Sequence, residues 1–462
     1  MLIIVSILKG DNMPLFRLGK VKLPERKKTA NLAPIRMPPP KAVEIPMSQH
    51  IGAPAKVIVK AGDMVYVGTL IGEACGVISA NVHSSVSGKV KKIDTFLLSN
   101  GKNCESVIIE SDGKYTPDPS IKPPRVTNYE ELSFAARAAG LVGLGGAGFP
   151  THLKLDPSKL SKIDTLIING AECEPYITSD TRTMLDESDL VMRGVKTILD
   201  LSGIQRAILG IEENKPECIF KMKEVFSDDG RVDVIALPSL YPAGAEKILI
   251  YNTTGRIIPE GKLPADVGIL LLNITTVAML EKYLDTGMPL VEKCLTVDGS
   301  AIKTPANIIA PIGAKVAEVV EAVGGFSKKP GKILYGGPMM GIALYTLDAP
   351  IMKNNNAITA FLKKDSKNRK ATACIRCGRC LAACPIGLNP TVYAGAMGLS
   401  NSIDRAERLD RAKVNLCIEC GCCSYVCPAK RPLVENNRLG KADLYHFNAR
   451  KEKEEKETSE NE

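Results

Sequence analysis

Eight of the fourteen cysteines fall in two sets with one spacing. Cys374, Cys377, Cys380 and Cys384 form C-x2-C-x2-C-x3-C before Pro385, and Cys417, Cys420, Cys423 and Cys427 repeat the pattern before Pro428. Thiolates are soft donors suited to iron–sulfur clusters, and in this spacing three of them wrap one cube while the fourth reaches the neighbouring one. The spacing therefore predicts two [4Fe-4S] clusters. One is expected on Cys374, Cys377, Cys380 and Cys427, the other on Cys417, Cys420, Cys423 and Cys384. Gly378 and Gly421 let each loop turn tightly, and the prolines end it. Structural zinc is the competing use of four cysteines, but zinc pairs are separated by a longer knuckle than this double run provides. Cys422 falls outside the register and is expected to be a buried or spare thiol. Cys75, Cys104, Cys173, Cys218 and Cys294 are scattered and read as packing residues.

The second chemical signal is the run Gly140-Leu141-Val142-Gly143-Leu144-Gly145-Gly146-Ala147-Gly148-Phe149-Pro150. Several glycines allow a backbone to approach a phosphate and aim successive amide hydrogens at it, although such turns also serve tight packing. Downstream, the apolar run Thr165-Leu166-Ile167-Ile168 ends in Asn169-Gly170-Ala171-Glu172-Cys173-Glu174-Pro175. That puts polar groups at the carboxyl end of a strand, where open parallel sheets bind ligands.

The elements that must carry these residues show in changes of pattern along the chain. Residues 1–44, with Arg26 to Lys28 and Pro38 to Pro40, read as an irregular arm packed against something else. Residues 45–112 alternate short apolar runs with Gly62, Gly68, Gly72 and Gly88 and read as a small all-β unit. Pro117, Pro119, Pro123 and Pro124 mark a linker. Over residues 125–250, helical stretches at 129–139 and 190–201 alternate with strands at 165–168 and 206–209, predicting a parallel three-layer sheet. A second α+β unit is expected over residues 255–330, and residues 353–370 read as a polar, basic connection. The cysteine-rich domain occupies residues 365–440, and residues 441–462 form a charged tail that is expected to fray from Arg450 onward.

Composition narrows the functional classes. Sixty basic against 51 acidic residues give a mild excess of +9, spread along the chain, and with 5% aromatics and no Trp there are few stacking platforms, so no nucleic-acid partner is expected. The apolar start at residues 1–8 is too short to span a bilayer, and no later apolar run reaches the length of a membrane helix. Metal ligation in a reducing cytoplasm is the expected use of the cysteines.

Residues 143–154, residues 169–175 and the two cysteine sets together resemble the C subunit of the Rnf family, membrane-bound ferredoxin:NAD oxidoreductases that couple electron flow to ion pumping. The chain is similar, more distantly, to the flavin- and NADH-binding subunit of respiratory complex I. Gln49-His50-Ile51-Gly52-Ala53-Pro54, Tyr241-Pro242-Ala243-Gly244-Ala245-Glu246-Lys247 and Gly336-Gly337-Pro338-Met339-Met340-Gly341 also resemble segments of that family. The resemblance implies a multidomain α/β protein with four folded parts. They are a lipoyl-like barrel, a Rossmann-like flavin domain, a β-grasp (SLBB) domain and a C-terminal two-cluster ferredoxin-like α-helical domain. It implies FMN and NAD(H) as cofactors beside the clusters. By similarity Gly143, Gly145, Gly146 and Gly148 line the flavin phosphate and ribityl chain, Asn169, Glu172 and Asn273 contact the flavin, and Phe149 and Lys154 fall near the nicotinamide nucleotide. Glu174 belongs to the same cofactor-binding set, with a turn residue as its plain alternative. Leu144 stands where the complex I pattern has arginine, and Ala171 where it has aspartate. The barrel lacks a lysine at its hairpin tip, residues 83–88, and so carries no biotin or lipoate.

The expected function is electron transfer between ferredoxin-derived clusters and NAD through flavin, at the cytoplasmic face of the membrane, with other members of the complex as direct partners and ferredoxin as an indirect one. A soluble flavin and iron–sulfur reductase such as a cobalamin reductase, or a flavin-free electron wire, are the alternatives. No general acid, base or nucleophile is expected.

Overall fold

The computed structural model describes residues 19–98, 101–367 and 370–460. The apolar start and most of the first half of the arm lie outside these residues. The chain divides into two compact units: Leu23–Ser239 with Ala243–Asn368, and Met1–Lys22 with Leu240–Pro242 and Arg369–Glu462.

In the larger unit, four strands form a parallel sheet in the order Val232–Leu237, Ala207–Glu212, Thr165–Asn169, Ile269–Asn273. Successive side chains of a strand point to opposite faces, so a strand buried on both sides must be apolar at every position. Leu166, Ile168, Leu270 and Leu272 accordingly pack under the helices Tyr129–Ala138, Ser188–Ser202 and Ile274–Thr286. Ile167, Ile269 and Leu271 face Leu249 and Ile250 of the helix Glu246–Thr254. This is the expected three-layer arrangement. Its fourth strand and following helix come from residues expected in the second α+β unit.

That second unit is built instead on a six-stranded sheet, in the order Ile35–Arg36, Ala306–Pro311, Glu292–Asp298, Ala357–Leu362, Pro330–Tyr335, Ile342–Ala343, with the helix Val316–Ala322 against it. Two expectations change here. Residues 353–370 are not simply a connection: Ala357, Ile358 and Ala360 are fully buried in a strand that pairs with two neighbours. The surrounding lysines and asparagines mask a six-residue apolar run too short to raise the local average. The arm is not wholly irregular either, since Ile35–Arg36 pairs in parallel with Ala306–Pro311.

The small all-β unit is a sandwich of two sheets. One holds Ala42–Pro46, Asn103–Ser111, Gly88–Leu97 and Met64–Val65, the other Lys56–Val57, Leu70–Glu73 and Val82–His83. Val43, Ile45, Ile71, Val107 and Ile109 form its core. The turn at residues 83–88 is no exposed tip: Ser84, Ser85 and Ser87 are buried, and the Ser85 hydroxyl donates to the Ile312 carbonyl at 2.5 Å.

The smaller unit surrounds the cysteines with the helices Pro390–Ala396, Ser402–Arg411 and Leu433–Glu460. Two other stretches of chain join it. Val21 pairs with Tyr241 as an isolated antiparallel bridge, and a Cβ on Gly19 would lie 2.5 Å from the Cys384 carbonyl oxygen. The final helix corrects the expectation of a frayed tail, for it runs on to Glu460. Lys and Glu are strong helix formers, so an all-polar stretch can continue a helix already nucleated by Leu433, Val434 and Leu444 in the core.

Candidate functional site: two cysteine cages and a strand-end glycine loop

The cysteines sort into two cavities. Cys374, Cys377, Cys380 and Cys427 line one, while Cys384, Cys417, Cys420 and Cys423 line the other, with Cys422 fully buried beside them. The fourth cysteine of each set therefore lines the cavity of the other set. Among the described residues no three Cys, His, Asp or Glu side chains converge as a single metal ion requires. Each cavity takes four thiolates from the repeat, the donor set of a [4Fe-4S] cube.

The two loops share their local geometry. Each turns through two left-handed residues on either side of a cysteine, Arg376 (φ 55°) and Gly378 (φ 72°) in the first, Glu419 (φ 56°) and Gly421 (φ 77°) in the second. The turns bring amides onto sulfur: Arg376 N lies 3.4 Å from Cys374 Sγ and Glu419 N 3.4 Å from Cys417 Sγ. Asn437 Nδ2 adds a side-chain donor 3.3 Å from Cys417 Sγ, and Leu388 N lies 3.2 Å from Cys384 Sγ. Donors to sulfur favour the electron-rich state of a cluster and so tune its potential. The Tyr241 hydroxyl donates to the Cys420 carbonyl at 2.8 Å, which fixes the backbone of the second loop.

The glycine loop sits at the carboxyl end of the parallel sheet. Asn169 and Asn273, the last residues of adjacent strands, are register partners. Asn273 caps the following helix, its Oδ1 accepting from Thr275 N and Thr276 N at 3.0 and 3.2 Å, and its Nδ2 donates to Asp180 Oδ2 at 2.8 Å. Gly145 packs so closely on this amide that a Cβ there would lie 2.6 Å from Asn273 Nδ2. The loop is closed below by Gly143 N donating to the Phe149 carbonyl at 2.8 Å and by Leu144 N donating to Thr276 Oγ1 at 3.0 Å. Gly145, Gly146 and Ala147 are exposed, and a Cβ on Gly146 would meet nothing within 4 Å. Their amide hydrogens bond to no described group. Exposed, unpaired amides in succession suit a phosphate. The buried Lys293 lies just beneath, donating to the Leu144 carbonyl at 2.8 Å. Burial pulls its ammonium down to about 8 despite the Asp180 carboxylate.

The carboxylates expected at the cofactor have other partners. Glu172 accepts from Asp180 N at 2.7 Å and Thr181 Oγ1 at 2.8 Å, so it caps the helix Ser179–Asp186 and reaches the Asn273 cluster only through Asp180. Glu174 accepts from Met339 N at 3.1 Å and Met340 N at 2.7 Å, gripping the turn at residues 336–341; burial raises its carboxyl above the ordinary range. Asn169 Nδ2 donates to the Gly244 carbonyl at 2.9 Å. Lys154 Nζ donates to the Leu271 carbonyl at 3.0 Å, with Glu246 at 3.7 Å, and Phe149 is half-buried. The structure thus gathers Gly145, Asn169, Asn273 and Glu172 around one strand end, while Glu174 and Lys154 are tied to backbone on its borders. Cys104 and Cys218 are buried as packing predicts, but Cys75 is exposed.

Two lysines, Lys27 half-buried and Lys353 fully buried, support the strand-end segments without having been apparent in the sequence. Lys27 of the arm donates to the carbonyls of Glu172, Glu174 and Ile177 at 2.7, 2.8 and 2.5 Å. Lys353, fully buried, donates to the carbonyls of Asn81 and of Gly140 at the root of the loop, the latter at 2.7 Å. Burial pushes Lys353 down to about 7. An unfolded lysine titrates near about 10.4, so between these values the unfolded chain keeps a proton that the folded chain has lost. Stability should therefore rise with pH from about 7 toward about 10, by up to about 1.4 kcal/mol per unit from this group. Anaerobic melting of wild type against Lys353→Met checks it: the wild-type excess must grow with pH, and a constant difference contradicts it.

Four family models match the chain: an RnfC barrel sandwich hybrid domain over residues 16–114, a Nuo51 FMN-binding domain over 136–282, an SLBB domain over 295–343 and a 4Fe-4S dicluster domain over 370–431. The chain is 44% identical to the C subunit of the proton-translocating ferredoxin:NAD(+) oxidoreductase complex of Clostridium ljungdahlii, over 82% of this chain and 83% of that one. It is 42% identical to the Na(+)-translocating counterpart of Acetobacterium woodii, over 80% and 85% respectively. It is 38% identical to the C subunit of the ion-translocating oxidoreductase complex of Rhodobacter capsulatus, over 90% and 80%. A solved NAD+-reducing [NiFe]-hydrogenase aligns with TM-score 0.48 at 18% identity, over 69% of this chain and 63% of that one.

Proposed function

This chain belongs to the C-subunit family of ion-translocating ferredoxin:NAD(+) oxidoreductase complexes, and from that premise we propose that it passes electrons between two [4Fe-4S] clusters and NAD(H) through a bound FMN. One observation supports the reading above the others: a glycine loop with free amides at a parallel sheet's carboxyl end and two crossed cysteine cages occur in a single chain. Flavin supplies the conversion between two-electron hydride chemistry and one-electron cluster chemistry. Gly143, Gly145, Gly146 and Gly148 hold its phosphate, and Asn169 and Asn273 flank it. Glu172 and Glu174 hold the surrounding backbone, and Phe149 and Lys154 border the nucleotide. Cys374, Cys377, Cys380 and Cys427 carry one cluster, Cys384, Cys417, Cys420 and Cys423 the other. The other subunits of the complex are its partners, and ion translocation belongs to the assembly.

No helix among the described residues is long and apolar enough to cross a membrane. Attachment through partner subunits on the cytoplasmic face accords with that. Anaerobically purified, reconstituted protein should retain about one FMN per chain, bleach with NADH and then develop the electron paramagnetic resonance of reduced clusters. A chain that binds no FMN, or whose flavin ignores NADH, overturns the proposal.

A further inference from the structure

The two cysteine loops read Cys-Ile-Arg-Cys-Gly-Arg-Cys and Cys-Ile-Glu-Cys-Gly-Cys-Cys. They differ only where the first has Arg376 and Arg379 and the second Glu419 and Cys422, and the structure turns those differences into opposite surroundings. Glu419 is held by Arg438 at 3.1 Å and Lys441 at 2.7 Å, and Cys422 is fully buried, so the second loop presents a neutralised, covered outer face. In the first loop every residue from 371 to 379 is exposed, Cys374 and Cys377 among them. Arg376, Arg379 and Arg431 form no ion pair with any described residue, and no acidic residue lines that cavity. Asp365 and Asp404 bracket a stretch without a single Asp or Glu. Ile375 and Leu381, beside the cysteines, are 67% and 46% exposed.

Exposed apolar side chains at a redox centre, rimmed by unpaired charges of one sign, make a docking face of the kind that transient electron-transfer complexes use: small, with orientation set by charge. We propose that the face around Cys374 and Cys377 is the port through which this chain exchanges electrons with an acidic protein carrying its own one-electron centre. Arg376, Arg379 and Arg431 steer that partner, and Ile375 and Leu381 form the apolar contact. In the forward step one electron leaves the partner's reduced centre and the cluster on this face gains it, with no bond made or broken. The cluster behind Cys417, Cys420 and Cys423 exchanges electrons only inside the protein. The inference rests on the cluster assignment above and extends it by naming which cluster faces outward and the charge of what meets it.

The test uses cluster-loaded, full-length protein and two probes, a dithionite-reduced acidic ferredoxin offered to the oxidised protein and oxidised, cationic cytochrome c offered as acceptor to the reduced protein, mixed in a stopped-flow cell at low and high salt. Wild type should take electrons from the ferredoxin quickly at low salt and more slowly as salt rises. Arg376→Glu/Arg379→Glu should lower the low-salt rate by about tenfold or more and remove its salt dependence. Cytochrome c should react slowly with wild type and faster with the double variant. Lys223→Glu, an exposed charge reversal in the larger unit, should match wild type. The inference is overturned if the double variant reacts with ferredoxin as wild type does, or if Lys223→Glu slows it equally. Iron content and NADH-driven flavin bleaching are read on the same samples. Failure of those in wild type would sink the proposed function, whereas normal bleaching with an unchanged ferredoxin rate would sink this inference alone.

Discussion

Cys427→Ala should destroy the cluster site of Cys374, Cys377 and Cys380, not that of its own sequence neighbours. Iron should fall from about eight to about four per chain, because each cube holds four. Pairs of substitutions identify the lost site. Adding Cys377→Ala to Cys427→Ala should cost no further iron, since both line the same cavity. Adding Cys420→Ala should empty the protein, since Cys420 lines the other. Cys384→Ala should behave as the mirror image. If Cys427→Ala and Cys420→Ala together still leave about four irons, each cage draws on its own loop alone and the crossed arrangement is wrong.

Lys27→Met should have the second largest effect, and at the flavin rather than at the clusters. The ammonium bonds to three carbonyls of residues 172–177, and removing it strands buried acceptors at a cost of about 3 kcal/mol or more. The same segment carries Tyr176 in a left-handed conformation (φ 74°) and leads from Asn169 to the Asp180 that Asn273 holds. Its loosening should weaken FMN binding by about tenfold or more, measured by flavin fluorescence titration, and lower the denaturant midpoint. Iron content should stay at wild-type level, because the cysteines belong to the other compact unit. Unchanged FMN affinity would show that this loop holds its shape without the arm.

What the sequence discloses follows the range of the interactions involved. The gathering of three cysteines by each loop was legible because their close spacing keeps them on one short turn of chain. The parallel sheet was legible too, since residues 166–168 and 207–211 are unbroken apolar runs flanked by helical stretches. The roles of Glu172 and Glu174 were not. Each carboxylate is claimed by backbone donors, in Asp180 and in Met339 and Met340, whose approach depends on the folded chain. Lys27 lies in a stretch that reads as an irregular arm and Lys353 in one that reads as a polar connection, and nothing in composition shows that carbonyl oxygens wait for them. The strand Ala357–Leu362 was hidden by the lysines and asparagines on either side.

The bridge between Val21 and Tyr241 bears on how the protein is made. Three stretches of chain that leave the ribosome at widely separated times belong to one folded body. The first two are synthesised long before any cysteine of the repeat and cannot be completed until the last helix emerges. Insertion of iron and sulfide is therefore a late step, after these distant stretches have been made. A recombinant piece starting near residue 370 would expose the backbone of Cys384 and Cys420 where Gly19 and Tyr241 normally cover it, and would be a poor substitute for the whole protein in any study of its redox centres.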